Sequence, residues 1–137
     1  MFYAGPLFFL LSFLLPLSAN LEEGDEAKIQ KFNAIVKDYE NEIKKDPQNL
    51  RLILAVGDVY YSLQEYNKAI DYYGRALKID PQNNKIKTKL AFSLLNDNDL
   101  RQSHALFEQV IQVDPTYIEA LGGFRTHRSA DASSSTG

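Results

Sequence analysis

The chain has 137 residues, of which 45% are hydrophobic and 24% are charged, a composition typical of one folded domain. The net charge of −3 provides no basic face for a nucleic-acid backbone, so we expect no nucleic acid among its partners. The absence of cysteine excludes disulfide bonds and thiolate-bound metal.

Residues 1–19 are hydrophobic and carry no charged side chain. Residues 7–15 are almost purely leucine and phenylalanine and have the length of a signal-peptide core, and Ala19 supplies the small residue that a signal peptidase requires. We therefore expect residues 1–19 to be a cleaved signal peptide and the protein to be exported, either periplasmic or secreted. The alternative is a membrane anchor, because this segment nearly reaches the length that spans a bilayer. The acidic stretch 20–26 is predicted to be a linker.

Residues 27–45 predict one amphipathic helix. Their apolar residues recur at the three- and four-residue spacing of a helix face, with charged residues between them. The helix should end before Pro47, because the residue that precedes a proline is driven out of helical geometry. The predicted buried face consists of Ile29, Phe32, Ile35, Val36, Tyr39 and Ile43.

Residues 50–83 predict two amphipathic helices joined by a tight turn at Gln64 and closed by Pro81. Glycine weakens a helix interior by up to about 1 kcal/mol relative to alanine. Gly57 therefore indicates a point where the backbone of another helix approaches closely. Small alanines beside the large Tyr73 in the second helix indicate the same close packing.

The same pattern recurs in the segment that follows directly, residues 84–117. Asn98 takes the turn position, and asparagine tolerates the left-handed conformation that such a turn needs. Three prolines, each preceded by aspartate, stand in register at positions 47, 81 and 115. The predicted helices of the two units are 50–63, 66–79, 85–96 and 100–113.

Six residues of the first unit form a recognisable pattern: Gly57, Tyr60, Ala69, Tyr73, Ala76 and Pro81. The pattern and its period resemble the tetratricopeptide repeat, a helix–turn–helix unit, although the second unit departs from it at Lys87 and Ser103. The resemblance implies an all-α fold, a right-handed α-solenoid of antiparallel helix pairs that follows the hydrophobic N-terminal segment. It further implies two units, 50–83 and 84–117, and a capping helix at 27–49 that is the second half of a degenerate repeat.

Residues 118–137 begin a further helix and then lose the pattern. Gly122 and Gly123 disfavour a helix interior, and the residues after them are polar and of low complexity. We expect the start of a helix followed by a tail that is either disordered or the product of an altered reading frame or a truncation. In the latter case the chain is the N-terminal fragment of a longer repeat protein, whose function lies in missing downstream repeats or a missing domain.

No catalytic, metal or cofactor site is predicted. Ser103 and His104 are neighbours on one helix, so their side chains diverge and do not form a nucleophile–base pair. Asp97 and Asp99 match the start of a calcium loop, but its sixth position is Gln102 instead of glycine. No glycine-rich phosphate loop is present. We therefore expect a protein that is not an enzyme and that needs no cofactor.

The resemblance implies that the first helix of each unit lines a concave groove, which receives a peptide or a partner helix. The implied residues of the first unit do lie on one helical stripe. Phe92 and Leu95 are large apolar residues outside the predicted core face, which favours contact with a partner. The implied groove residues are Arg51, Leu54, Asp58, Tyr61 and Ser62, followed by Lys85, Thr88, Phe92, Leu95 and Asn96.

From these features we expect an exported, non-enzymatic scaffold that binds a protein or peptide partner through the groove, as an adaptor in an envelope or secretory complex. Two and a half units leave an apolar end face uncovered, so we also expect self-association through the end of the solenoid. If residues 1–19 are an anchor instead of a signal, the protein associates with a membrane through them.

Overall fold

The computed structural model describes the backbone of residues 7–134 and the side chains of residues 24–126. Over that backbone the chain forms six α-helices and no β-strand, which confirms the all-α prediction. The helices are α1 Leu7–Lys45, α2 Leu50–Ser62, α3 Tyr66–Ile79, α4 Asn84–Asn96, α5 Leu100–Val113 and α6 Ile118–Ser134.

The helices repeat along the chain with the spacing seen in the sequence. The helices α2, α4 and α6 begin at Leu50, Asn84 and Ile118, so successive starts are 34 residues apart. From α2 onward each helix packs against the next one in the chain. The result is a series of antiparallel helix pairs, which is the predicted α-solenoid arrangement.

Side chains at the helix starts satisfy backbone N–H groups that have no partner inside the helix. The Asn49 side chain accepts a hydrogen bond from the backbone N–H of Leu52 at 3.2 Å, and Asn83 accepts one from Ile86 at 3.2 Å in the equivalent place. Asp99 caps α5 in the same way. These caps help to fix where α2, α4 and α5 begin.

The turns between helices also repeat. Gln64 and Asn98 occupy equivalent positions in the two units and have φ angles of 61° and 67°, so both adopt the left-handed conformation. Asparagine adopts this conformation readily, and the prediction for Asn98 is confirmed, whereas glutamine at position 64 gave no such signal. The helices α1, α3 and α5 each end immediately before an Asp-Pro pair, as predicted.

Tyr73 of α3 and Phe107 of α5 are the largest fully buried side chains, with 1% and 0% of their surface exposed. Gly57 of α2 lies against the Tyr73 ring, where an added Cβ would come within 2.7 Å of Cε1. Glycine is therefore needed at position 57 for α2 to approach α3 this closely.

The N-terminal helix differs from the prediction. Residues 20–26, expected to be a linker, are helical and continue into the predicted helix 27–45. Leucine and glutamate are good helix formers and no proline interrupts them, so the single glycine, Gly24, costs only about 1 kcal/mol. In the predicted buried face Val36 and Ile43 are buried, whereas Ile29 is 47% exposed.

The chain consists of two compact units, the first ending at Lys37 and the second beginning at Asp38. The predicted signal segment, residues 1–19, lies outside the residues whose side chains are described. Among residues 24–126, no helix combines the length and the hydrophobicity required to cross a membrane.

The C-terminal helix also differs from the prediction, because α6 continues past Gly123 as far as Ser134. The segment of the predicted tail that extends to Ser134 is therefore helical. Gly123 lies directly against the Phe107 ring, in a position where a Cβ would overlap the ring. Phe124 packs against the same apolar cluster. This packing offsets the low helix propensity of the glycine pair, which sequence patterns alone do not reveal.

Candidate functional site

The predicted groove residues lie on α2 and α4, the first helices of two consecutive units. Two polar contacts join these helices. Lys89 Nζ of α4 lies 2.6 Å from Asp58 Oδ1 of α2, and Asn96 Nδ2 donates a hydrogen bond of 3.0 Å to the Tyr61 hydroxyl. These contacts bring Asp58 and Tyr61 of α2 next to Lys89 and Asn96 of α4.

A pocket of about 250 Å³ opens on this surface between α2 and α4. Four of the residues named from the sequence line it: Asp58, Tyr61, Ser62 and Phe92. Two further lining residues, Tyr73 and Lys89, were not among the implied groove residues.

Asp58 is the centre of a small polar network in this pocket. Its Oδ1 accepts a hydrogen bond of 2.5 Å from the Tyr73 hydroxyl and one of 2.6 Å from Lys89 Nζ. The ammonium group of Lys89 also lies over the Tyr73 ring, 5.7 Å from its centroid. The Asp58 and Lys89 side chains are 49% and 31% exposed, so the ion pair faces the pocket.

The Tyr73 phenol is held in its protonated form. Burial raises the pKa of Tyr73 above its usual value, and the hydrogen bond to the Asp58 carboxylate raises it further. The phenol therefore remains a donor to Asp58 across the physiological pH range. Because of this bond, the orientation of Asp58 is set from within the fold.

Phe92 has a dual position. It lines the pocket, yet its ring also meets the Phe107 ring edge-on at a centroid distance of 5.0 Å. Together with Leu95, it packs against the buried cluster of α4, α5 and α6. The apolar surface that favoured a partner contact is therefore used in part by the chain itself.

The other groove residues differ in accessibility. Arg51, Lys85 and Asn96 are exposed, and Leu54 is half-buried. Thr88 is only 4% exposed, so little of its side chain is available to a partner.

Lys89 and Tyr73 line the pocket but were not predicted as groove residues, for different reasons. Lys89 lies four residues after Lys85 and three before Phe92, so helical spacing places it on the same stripe. The small alanines beside Tyr73 predict close helix packing at this residue. The ring is indeed buried, but the hydroxyl extends to the pocket.

The Ser103 side chain joins α5 to α4. Ser103 is fully buried, and its hydroxyl donates to the Ala91 carbonyl at 2.8 Å. Within residues 24–126 no three histidine or acidic side chains are grouped as a metal site requires.

Comparison with known proteins identifies the repeat. The sequence model of the tetratricopeptide repeat matches residues 55–83. No curated protein sequence matches the chain.

Several solved structures share the fold. The first tetratricopeptide domain of Spaghetti (RPAP3), bound to the HSP90 peptide SRMEEVD, has a TM-score of 0.68 at 20% identity, covering 81% of this chain and 89% of that one. The second such domain of human RPAP3, in complex with the HSP70 peptide SGPTIEEVD, has a TM-score of 0.66 at 19% identity, covering 90% and 98%.

A third similar structure is the crystal structure of MamA, with a TM-score of 0.69 at 16% identity, covering 79% of this chain. The present chain spans 63% of that MamA chain. Together, the repeat match and the structural neighbours show that this chain contains a tetratricopeptide repeat at residues 55–83 and has the fold of tetratricopeptide-repeat domains.

Proposed function

We propose that the chain is a non-enzymatic scaffold that binds a peptide segment of a protein partner on the surface formed by α2 and α4. The observation that carries this proposal is the pocket of about 250 Å³ between the two helices. Aromatic side chains line it, and such a concave, partly apolar pocket is suited to receive one side chain of an extended peptide.

The comparisons support the proposal at the level of the fold. Two of the similar domains are described as bound to peptides, one from HSP90 and one from HSP70. A binding role for this chain agrees with these findings.

The proposal is tested by filling the pocket. Ser62 is exposed at the C-terminal end of α2 and lines the pocket, so Ser62→Trp should block it without disturbing the core. The probes are peptides selected from a random display library with the wild-type protein. Their affinity, measured by fluorescence anisotropy, should fall at least tenfold, about 1.4 kcal/mol, in the Ser62→Trp variant.

The matched control is Asn67→Trp, which adds the same side chain at an exposed position of α3 away from the pocket. This variant should bind the selected peptides as the wild type does. Equal affinities for the two tryptophan variants, or a selection that enriches no peptide, would refute binding at this surface.

We also propose that the protein is exported, or anchored through its N-terminus, and acts as an adaptor in an envelope or secretory complex. The support is the sequence of residues 1–19, with its uncharged apolar core and the small residue Ala19. N-terminal sequencing of the protein recovered from cell fractions tests this. A mature chain that begins at Asn20 in an exported fraction is expected for a cleaved signal, and an intact chain in the membrane fraction for an anchor. An intact chain in the cytosol contradicts both.

A second contact surface is proposed at the turn between α5 and α6, for self-association. Val113 and Ile118 lie on either side of this turn and are 68% and 82% exposed. Large apolar side chains exposed on both sides of one turn favour association with another copy. Sedimentation velocity should show a dimer that Ile118→Lys dissociates, and a wild-type monomer at all concentrations would refute the proposal.

A further inference from the structure

The pocket between α2 and α4 contains a cation that is already neutralised. Asp58 and Lys89 are the two charged side chains that line it, and they are paired at 2.6 Å. The Tyr73 hydroxyl of α3 donates to the same Asp58 oxygen. Because the carboxylate belongs to the same chain, it competes for Lys89 at a high effective concentration.

Apart from Ser62, the other residues that line the pocket are aromatic. The Tyr61 and Phe92 rings stand at its sides, and the Tyr73 ring lies beneath the ammonium group. We propose that Asp58 sets the specificity of this pocket. Because Asp58 pairs with Lys89, the pocket accepts an uncharged, apolar side chain of a peptide and excludes an acidic one. This inference rests on the proposed function, because it names the chemistry of the peptide at the same surface.

The next unit supports this assignment. One repeat further along the chain, the positions equivalent to Asp58, Tyr73 and Lys89 hold Phe92, Phe107 and Gly123. These three residues are also in contact, since Phe107 packs edge-on against Phe92 and Gly123 lies on the Phe107 ring. The first unit therefore places a neutralised ion pair at this point of the groove, and the next unit places apolar residues at the equivalent point. A peptide that follows the groove meets no unpaired charge at either.

An acidic peptide would meet a different environment. The peptides SRMEEVD and SGPTIEEVD, bound by the two similar domains, both end in acidic residues. A carboxylate entering this pocket must either displace Asp58 from Lys89 or lie beside an aspartate that is 49% exposed. The negative charges of Asp58 and of a ligand carboxylate repel each other, so Asp58 opposes the binding of acidic peptides.

The decisive variant is Asp58→Asn, which releases Lys89 while its amide oxygen still accepts the hydrogen bond from Tyr73. The probe is fluorescently labelled SRMEEVD, and its affinity is measured by anisotropy for the full chain. The wild type should bind it weakly, Asp58→Asn at least tenfold more tightly, and the double variant Asp58→Asn/Lys89→Gln as weakly as the wild type. Thermal unfolding shows whether each variant is folded.

Equal affinity of the wild type and Asp58→Asn for SRMEEVD would overturn the inference. A second measurement does not depend on the variant. Peptides selected from a random library with the wild type, and blocked by Ser62→Trp, should carry an apolar anchor residue, and an acidic anchor would also overturn the inference. If Ser62→Trp blocks no peptide, the proposed function itself fails, which is a different outcome.

Discussion

Two glycines on adjacent helices provide a matched test of how closely α2 packs on α3. A Cβ on Gly57 would lie 2.7 and 2.9 Å from two carbons of the buried Tyr73 ring. A Cβ on Gly74, in the middle of α3, would have no other side chain or chain segment within 4 Å. Replacing each by alanine should therefore change the free energy of unfolding in opposite directions.

The magnitudes follow from two contributions. Both substitutions gain about 0.8–1 kcal/mol of helix propensity, because alanine loses less backbone entropy than glycine. Only Gly57→Ala overpacks the core, which costs typically about 1–3 kcal/mol, and the Tyr73 ring has little room to move because it is 1% exposed and tied to Asp58. We expect Gly74→Ala to stabilise by about 1 kcal/mol and Gly57→Ala to destabilise by about 1 kcal/mol.

Thermal and urea unfolding of the purified variants measure this difference. For a domain of this size, a gap of about 2 kcal/mol corresponds to roughly 8–16 °C between the two melting temperatures. Gly122 and Gly123 of α6 repeat the comparison, since a Cβ on Gly123 would overlap Phe107 and one on Gly122 would meet nothing within 4 Å. If Gly57→Ala is as stabilising as Gly74→Ala, the close approach of α2 to Tyr73 is wrong.

Two further perturbations test local contacts. Asn83→Ala removes the cap that accepts from the Ile86 N–H and should lower the free energy of unfolding by about 1 kcal/mol, and an unchanged urea midpoint would argue against the cap. Burial, with the hydrogen bond to Glu40, raises the pKa of Tyr72 from 10.0 to about 12, so the folded chain keeps a phenolic proton that the unfolded chain loses. The contribution of Tyr72 to the free energy of unfolding should therefore be fully present below pH 10 and be lost between pH 10 and about pH 12. The urea midpoint should fall over this range, and it should fall less in Tyr72→Phe.

Much of the fold could be predicted because its signals are local. Asp-Pro pairs end three helices, and Asn98 adopts the left-handed turn, since both effects arise within a few residues. The extent of α6 could not be predicted in this way. Gly123 disfavours a helix by itself and is favoured only because Phe107, on the preceding helix, occupies the space beside it.

The candidate site shows the same division. Asp58, Tyr61 and Phe92 could be placed on one surface from helical spacing and from the family resemblance. The pairing of Asp58 with Lys89 could not be predicted, because it joins two helices whose rotation relative to each other does not follow from residue spacing within either one. Spacing within a helix identifies which residues share a face, but contacts between helices decide which of their charges are neutralised.

The packing of each helix on its neighbours in the chain has a consequence for how the molecule folds and opens. Contacts that join α2 to α3, α3 to α4 and onward close only short loops, which favours rapid folding. In such a linear array the helix with the least packing opens first, and α6 makes fewer contacts with its neighbours α4 and α5 than α3 makes with α2 and α4. Amide hydrogens of α6 should therefore exchange sooner than those of α3. Because the residues that line the pocket between α2 and α4 all belong to α2, α3 and α4, this pocket can stay intact while α6 opens and closes.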